Sequence, residues 1–243
     1  MLGGITLLAS AGSAFALPAL QLGPGSGGTW TYNGSDQTWY VEGGSFSLNA
    51  YANCENTVSS PCNQNGNYAW DAAGSVDQYA YLVVASVPDV GNTDAFDVSI
   101  SNDSLSLSMV ASGYGAPPLQ DPNSLASHGI FDTYFEIYEF QFNGSLGVIH
   151  DTQPGHTGSG DGYTESFDIS VNSLLSGVSG VHFDLFTVEG SRYDASSTDA
   201  NRNLVNAFAP FSHDAQASVP EPATALLLGL GLLGLARARK HAV

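Results

Sequence analysis

The sequence predicts an all-β protein: an antiparallel β-sandwich, jelly-roll-like, with a C-terminal transmembrane helix. Three observations predict it. Apolar and polar side chains alternate at period two in five separate stretches, with Gly, Asn, Pro and Asp between them. No part of the body sustains a helical period. The last 21 residues change character, to an uncharged run of 14 closed by a basic cluster.

The N-terminus reads as a targeting signal. Residues 1–16, MLGGITLLASAGSAFA, have an apolar centre and end in the small-x-small pattern Ala14-Phe15-Ala16. Cleavage there places Leu17 first and leaves LPALQL as the start of the body.

Body strands follow in order. In WTYNGSDQTWY, Trp30 and Tyr32 precede a turn expected at Asn33-Gly34, and Trp39 and Tyr40 return from it. Phe46, Leu48 and Ala50 alternate with serine and asparagine. Residues 79–87, YAYLVVASV, are apolar on both faces and belong in the middle of a sheet. Phe96, Val98 and Ile100 alternate, as do Leu105, Leu107 and Met109, then Phe167, Ile169 and Val171, then Val181, Phe183 and Leu185.

The strand FDTYFEIYEFQF changes phase: Phe131, Thr133, Phe135 and Ile137 share one parity, Phe140 and Phe142 the other. Either a bulge near Tyr138 or Glu139 returns the phenylalanines to one face, or both faces are covered. Residues 172–176 are the one short helix candidate in the body. The organisation expected is a signal peptide over 1–16, a sandwich domain over 17–209, a linker over 210–218 and a sorting segment over 219–243.

Charge limits the partners. Residues 17–218 hold only two cations, Arg192 and Arg202, against 22 acids, a net charge of −20. Such a surface repels nucleic acid and anionic lipid and favours solubility. Cys54 and Cys62 lie eight apart in an Asn/Ser/Pro-rich loop. In an oxidising compartment they are expected to pair, for about 2–3 kcal/mol on the chain-entropy view. Free thiols are the alternative. Two cysteines with no nearby histidine make a poor zinc site.

In the tail, Val219, Pro220, Glu221 and Pro222 precede residues 223–236, ATALLLGLGLLGLA. As a helix these span about 21 Å against a hydrocarbon core of about 30 Å, a marginal anchor. Arg237, Arg239 and Lys240 follow and are expected to stay cytoplasmic, leaving the body outside the inner membrane. This order of parts resembles the PEP-CTERM sorting signal of exopolysaccharide-producing Gram-negative bacteria. The resemblance implies a temporary anchor, cut by a membrane cysteine transpeptidase called an exosortase, and release to the cell surface or beyond, in company with exopolysaccharide. In the body, LPALQL, TWYVEGGSFSLNAYA, YAYLVVASVP and HGIFDTYFEIYEFQF resemble the choice-of-anchor N family, which implies no activity.

Motifs for catalysis are absent: there is no GxSxG, HExxH, CxxC or Walker loop, and no two histidines stand two or four apart. A non-enzyme is expected. Paired carboxylates, as glycosidases use, need no motif and are the competing enzymatic reading. Two loops offer hard oxygens for calcium: Asp151, Asp161 and Glu165 in HDTQPGHTGSGDGYTE, and Asp194 and Asp199 in DASSTDANRN. Turns in which Asp and Asn bond their own backbone account for the same composition. For carbohydrate binding, Trp30, Tyr32, Trp39 and Tyr40 form a candidate aromatic platform, with core packing as the alternative.

Overall fold

A computed structural model describes residues 17–54, 79–88, 94–117, 132–142, 146–188, 192–197, 205–210 and 213–218. Among them every regular element is a strand. In chain order these are β1 (Leu20–Pro24), β2 (Thr29–Asn33), β3 (Thr38–Glu42), β4 (Ser45–Asn53), β5 (Ala80–Val87), β6 (Phe96–Ser101) and β7 (Ser108–Gly115). Then come β8 (Thr133–Phe140), β9 (Gly147–His150), β10 (Ser159–Leu174), β11 (Gly180–Val188), β12 (Val205–Phe208) and β13 (Ala215–Ser218).

The strands form two sheets. One has five strands in the order β1-β4-β10-β6, with β9 also on β10. The other has eight in the order β2-β3-β13-β11-β5-β8-β7, with β12 also on β11. Alternation explains which side chains meet between them. Leu48, Phe167 and Ile169 from the first sheet and Leu82, Phe183 and Leu185 from the second are all buried in one core. Edge-to-face pairs bridge the layers: Phe46 with Phe183 at 5.9 Å, and Phe140 with Phe167 at 4.8 Å between centroids. The arrangement is sandwich-like, as the period-two pattern predicts. Strand β5 lies between β11 and β8 and is buried from Ala80 to Ser86, which accounts for its lack of alternation.

Several expectations are corrected. The second sheet is not wholly antiparallel, because β13 runs parallel to β3. The linker expected over 210–218 does not hold as such, because its last four residues are β13, so the body continues past residue 209. Residues 172–176 are no helix. β10 continues to Leu174, which pairs with Phe96, and a turn closed by Val178 N donating to Leu175 O follows. The strand expected from Leu105 starts at Ser108 instead. Asn102 Oδ1 accepts from the backbone N–H of Ser104 and Leu105, at 2.7 and 3.0 Å, and holds that stretch as a turn.

β8 contains no bulge against β5: Ala80 to Ala85 pair in regular register with Phe140 to Phe135. The irregularity lies on its other neighbour, between Met109 and Ala111 of β7. Both faces of β8 are covered instead. Tyr134 and Phe140 join the main core, while Phe135 and Ile137 join a second core with Tyr81, Val83, Phe186, Val188 and Tyr193. The phase change in the sequence marks this two-sided burial.

Candidate functional site

Hairpin β2–β3 sorts its aromatics by strand parity. Trp30 packs edge-on against Phe46 at 5.6 Å, and Tyr32 meets its cross-strand partner Trp39 at 5.1 Å. The Trp39 indole N–H donates to Thr152 O at 3.2 Å. These three rings pack inward and do not form an exposed platform. Tyr40 alone faces the opposite side. The turn is wider than Asn33-Gly34: residues 34–37 form it, with Gln37 at φ 58°. Asp36 holds it closed, accepting from Asn33 Nδ2 at 2.9 Å and from the Tyr40 hydroxyl at 2.8 Å. Burial and the bond to Asp36 push the Tyr40 phenol up to about 12, so the ring stays neutral.

On that outer face, three neighbouring strands line an open groove of about 300 Å³. Thr29, Thr31 and Asn33 come from β2, Tyr40 and Glu42 from β3, and Ser218 from β13. Hydroxyls, an amide, one ring and one carboxylate face it, and no cation does.

At one end of the sandwich, Asp151 ties the loop after β9 to the residues before β13. His213 Nε2 lies 2.8 Å from Asp151 Oδ1, and His156 Nδ1 lies 3.1 Å from Oδ2. Gln153 N also donates to Oδ1, at 2.9 Å. The Asp151 side chain is 1% exposed. Burial works against its charge, but the bonds from His213 and Gln153 outweigh it and hold the carboxyl below the usual range. Burial pushes His213 down despite its partner. The pair is therefore a buried carboxylate held by a neutral imidazole, which is a structural tie.

Asp214, the next residue, directly precedes β13, whose Ala215 pairs with Phe183 next to Asp184, and both aspartates are fully buried. His182 Nε2 stands 3.4 Å from Asp214 Oδ2. Burial pushes Asp214 up to about 8, and the charge of Asp36 adds to the effect. Asp184 is pushed well above the carboxylate range, first by burial and then by Asp214. Sequence reasoning missed both residues. No local pattern marks them: Asp184 alternates with apolar residues in β11, as His182 does, and reads as a solvent-facing position, while Asp214 precedes the short strand β13.

The other residues proposed for calcium do separate work. Asp161 is exposed on β10, and its carbonyl accepts from Cys54 N at 2.8 Å. Glu165 is buried on the core-facing side of β10, in phase with Tyr163 and Phe167. Asp194 Oδ1 accepts from the backbone N–H and the hydroxyl of Ser196, at 3.0 and 2.6 Å, the turn reading of that loop. Asp199 lies outside the described residues. Among the described residues no group of three or more His, Cys, Asp or Glu stands close enough to hold a metal ion. Cys54 follows the end of β4, and Cys62 lies outside the described residues. So do the signal peptide, Val219 to Pro222, the apolar run 223–236 and Arg237, Arg239 and Lys240.

What fold and sequence define together is a two-sheet all-β body that passes straight from its last strand into a sorting segment. Residues 218–240 match the profile of the PEP-CTERM protein-sorting motif. That motif marks the chain as an exosortase-targeted secreted protein, which passes through a membrane-anchored intermediate on its way to the cell surface. No curated protein matches the chain. A solved structure described under "AvmM Catalyzes Macrocyclization in Alchivemycin A Biosynthesis" aligns over 79% of this chain and 95% of its own, at 11% identity and a TM-score of 0.29. A likeness at that level carries no argument about fold or function.

Proposed function

We propose that this is a non-enzymatic protein of the cell envelope or extracellular matrix: a rigid acidic β-sandwich of the choice-of-anchor N type, carried out by its sorting motif and retained with exopolysaccharide. The observation that carries the reading is the junction at Ser218, where β13 ends and the sorting motif begins. The buried polar groups support a scaffold role. Asp151, His156 and His213 are spent on each other, joining a loop to the strand before the motif. Neither calcium nor nucleic acid enters this reading. Co-fractionation tests it: the processed protein sediments with native exopolysaccharide and is freed when the polysaccharide is enzymatically degraded. A protein that fractionates identically with and without polysaccharide refutes the association.

A second reading, a carbohydrate-binding module, is favoured by the outer groove. Tyr40 is its one ring, pre-set by Asp36 among hydroxyl and amide groups that suit a neutral glycan. Tyr40→Ala is expected to abolish binding on a glycan array, while Trp30→Phe, on the core side, leaves it unchanged.

A further inference from the structure

The outer groove on β2, β3 and β13 holds two kinds of polar group. Cross-strand rows line its floor: Thr29 pairs with Glu42, which pairs with Ser218, and Thr31 pairs with Tyr40 in the next row. Same-face residues along a strand stand about 7 Å apart, so Glu42 lies one row from the Tyr40 ring.

Some of these groups are spent on the fold. Asn33 donates from Nδ2 to Asp36, and its Oδ1 accepts from Ser35 N at 3.0 Å. Asp36 accepts from Asn33, from the Tyr40 hydroxyl and, at 3.3 Å, from Thr38 N, so both its oxygens are engaged. The Tyr40 ring is thereby fixed, with its hydroxyl tied to the turn. Other groups are left over. Among the described residues, nothing hydrogen-bonds to the Glu42 carboxylate or to the side-chain hydroxyls of Thr29, Thr31 and Ser218. Thr29, Thr31 and Glu42 are exposed.

Charge decides which sugar the leftover groups suit. Glu42 is the one charged side chain lining the groove. Arg192, the single Lys or Arg among the described residues, is committed to Glu139 on β8, three strands beyond β13. An anionic glycan therefore meets no cation here and is repelled by the acidic body. A neutral glycan meets the ring and the hydroxyls but gives Glu42 no charge partner. A sugar with a free amine engages all of them.

We propose that the groove selects a basic amino sugar, a pyranose bearing a free amine, as in a partly de-N-acetylated polysaccharide. This rests on the carbohydrate-binding reading of the groove. The apolar face of the pyranose stacks on Tyr40, the ammonium pairs with Glu42 one row along, and the hydroxyls of Thr29, Thr31 and Ser218 bond to those of the sugar.

Titration calorimetry on the processed protein, purified from its native envelope, tests this with two probes of equal length. One is a β-linked glucosamine oligosaccharide and the other its fully N-acetylated form. The amine form is expected to bind about three- to fivefold more tightly, the scale of one exposed charge pair, and high salt should close the gap. Glu42→Gln is expected to erase the preference. Asp103→Asn, which removes the same charge from the exposed turn after β6, is expected to keep it. Equal or reversed affinities in the wild type would overturn the proposal. So would a preference that survives Glu42→Gln, or one lost equally in Asp103→Asn, which would report net charge alone. Binding of neutral oligosaccharides only would overturn it and leave the carbohydrate-binding reading standing. Binding of no oligosaccharide would refute that reading as well.

Discussion

Glu139 and Arg192 form a two-pronged ion pair that fastens the loop after β11 to the outer face of β8. Arg192 Nε donates to Glu139 Oε2 at 2.7 Å and Nη2 donates to Oε1. The carboxylate is buried while the guanidinium reaches water and lies 4.6 Å from the centroid of the Tyr79 ring. The Tyr81 hydroxyl also points to Glu139, at 3.4 Å, and accepts from Tyr193 N at 2.7 Å. One of the body's two cations thus neutralises a buried acid and roofs the second core.

Arg192→Ala leaves Glu139 buried without its cation. The expected loss is about 2 kcal/mol, between the figures for an exposed pair and for a broken buried one, because Arg192 is half exposed. Thermal melts check it. A double-mutant cycle with Glu139→Gln should show coupling, and additive losses would count against the pair.

Asp214 makes stability depend on pH in a stated direction. Its folded value of about 8 lies above that of the unfolded chain, so the folded state holds a proton the unfolded state has lost. Stability from this group falls as pH rises from about 4 and levels off above about 8. Asp184, raised too, acts in the same sense. His213 and Asp151 are lowered and act oppositely, removing stability as pH falls below about 6.5 and about 4. Between pH 6.5 and 8 the Asp pair acts alone among these groups. The melting temperature is expected to drop across that window, and Asp214→Asn should make the slope shallower. Equal slopes would refute the assignment.

Gly180→Ala forces a methyl onto the Ala217 carbonyl. Backbone must shift, at about 1–3 kcal/mol for overpacking. Gly34→Ala, where an added Cβ meets nothing within 4 Å, serves as the control in the same chemical denaturation series and should change stability far less.

Cys54 and Cys62 are expected to be linked in protein taken from the envelope. Peptide mapping without reductant should yield one cross-linked species, and two alkylatable thiols would refute the pairing.

Legibility in the sequence followed the range of the physics. Strands β4, β6 and β10 were readable from their alternation, and β5 from its lack of it, because each pattern reflects which faces are buried; β11 alternates too, but it is buried on both faces, His182 and Asp184 included. The sorting motif was readable because it is contiguous. β13 was not: AQAS is short and weak in β-branched residues, and only its place between β3 and β11 makes it a strand. Asp151 and His213 lie 62 residues apart, and Glu139 and Arg192 lie 53 apart, so no local pattern joins them. Composition held one clue: in a body with two cations, a buried acid makes a strong claim on either. For the aromatic hairpin the sequence left platform and core packing both open, because clustering in sequence does not say which face of a strand a ring occupies. Parity sends Trp30, Tyr32 and Trp39 one way and Tyr40 the other.

Membrane fractionation of a variant with Val219, Pro220, Glu221 and Pro222 replaced by alanine is the most direct measurement. Exosortase sorting predicts that the wild-type body is released from the inner membrane at reduced mass, while the variant stays there at full length. Release of the variant at the wild-type rate and mass would contradict it.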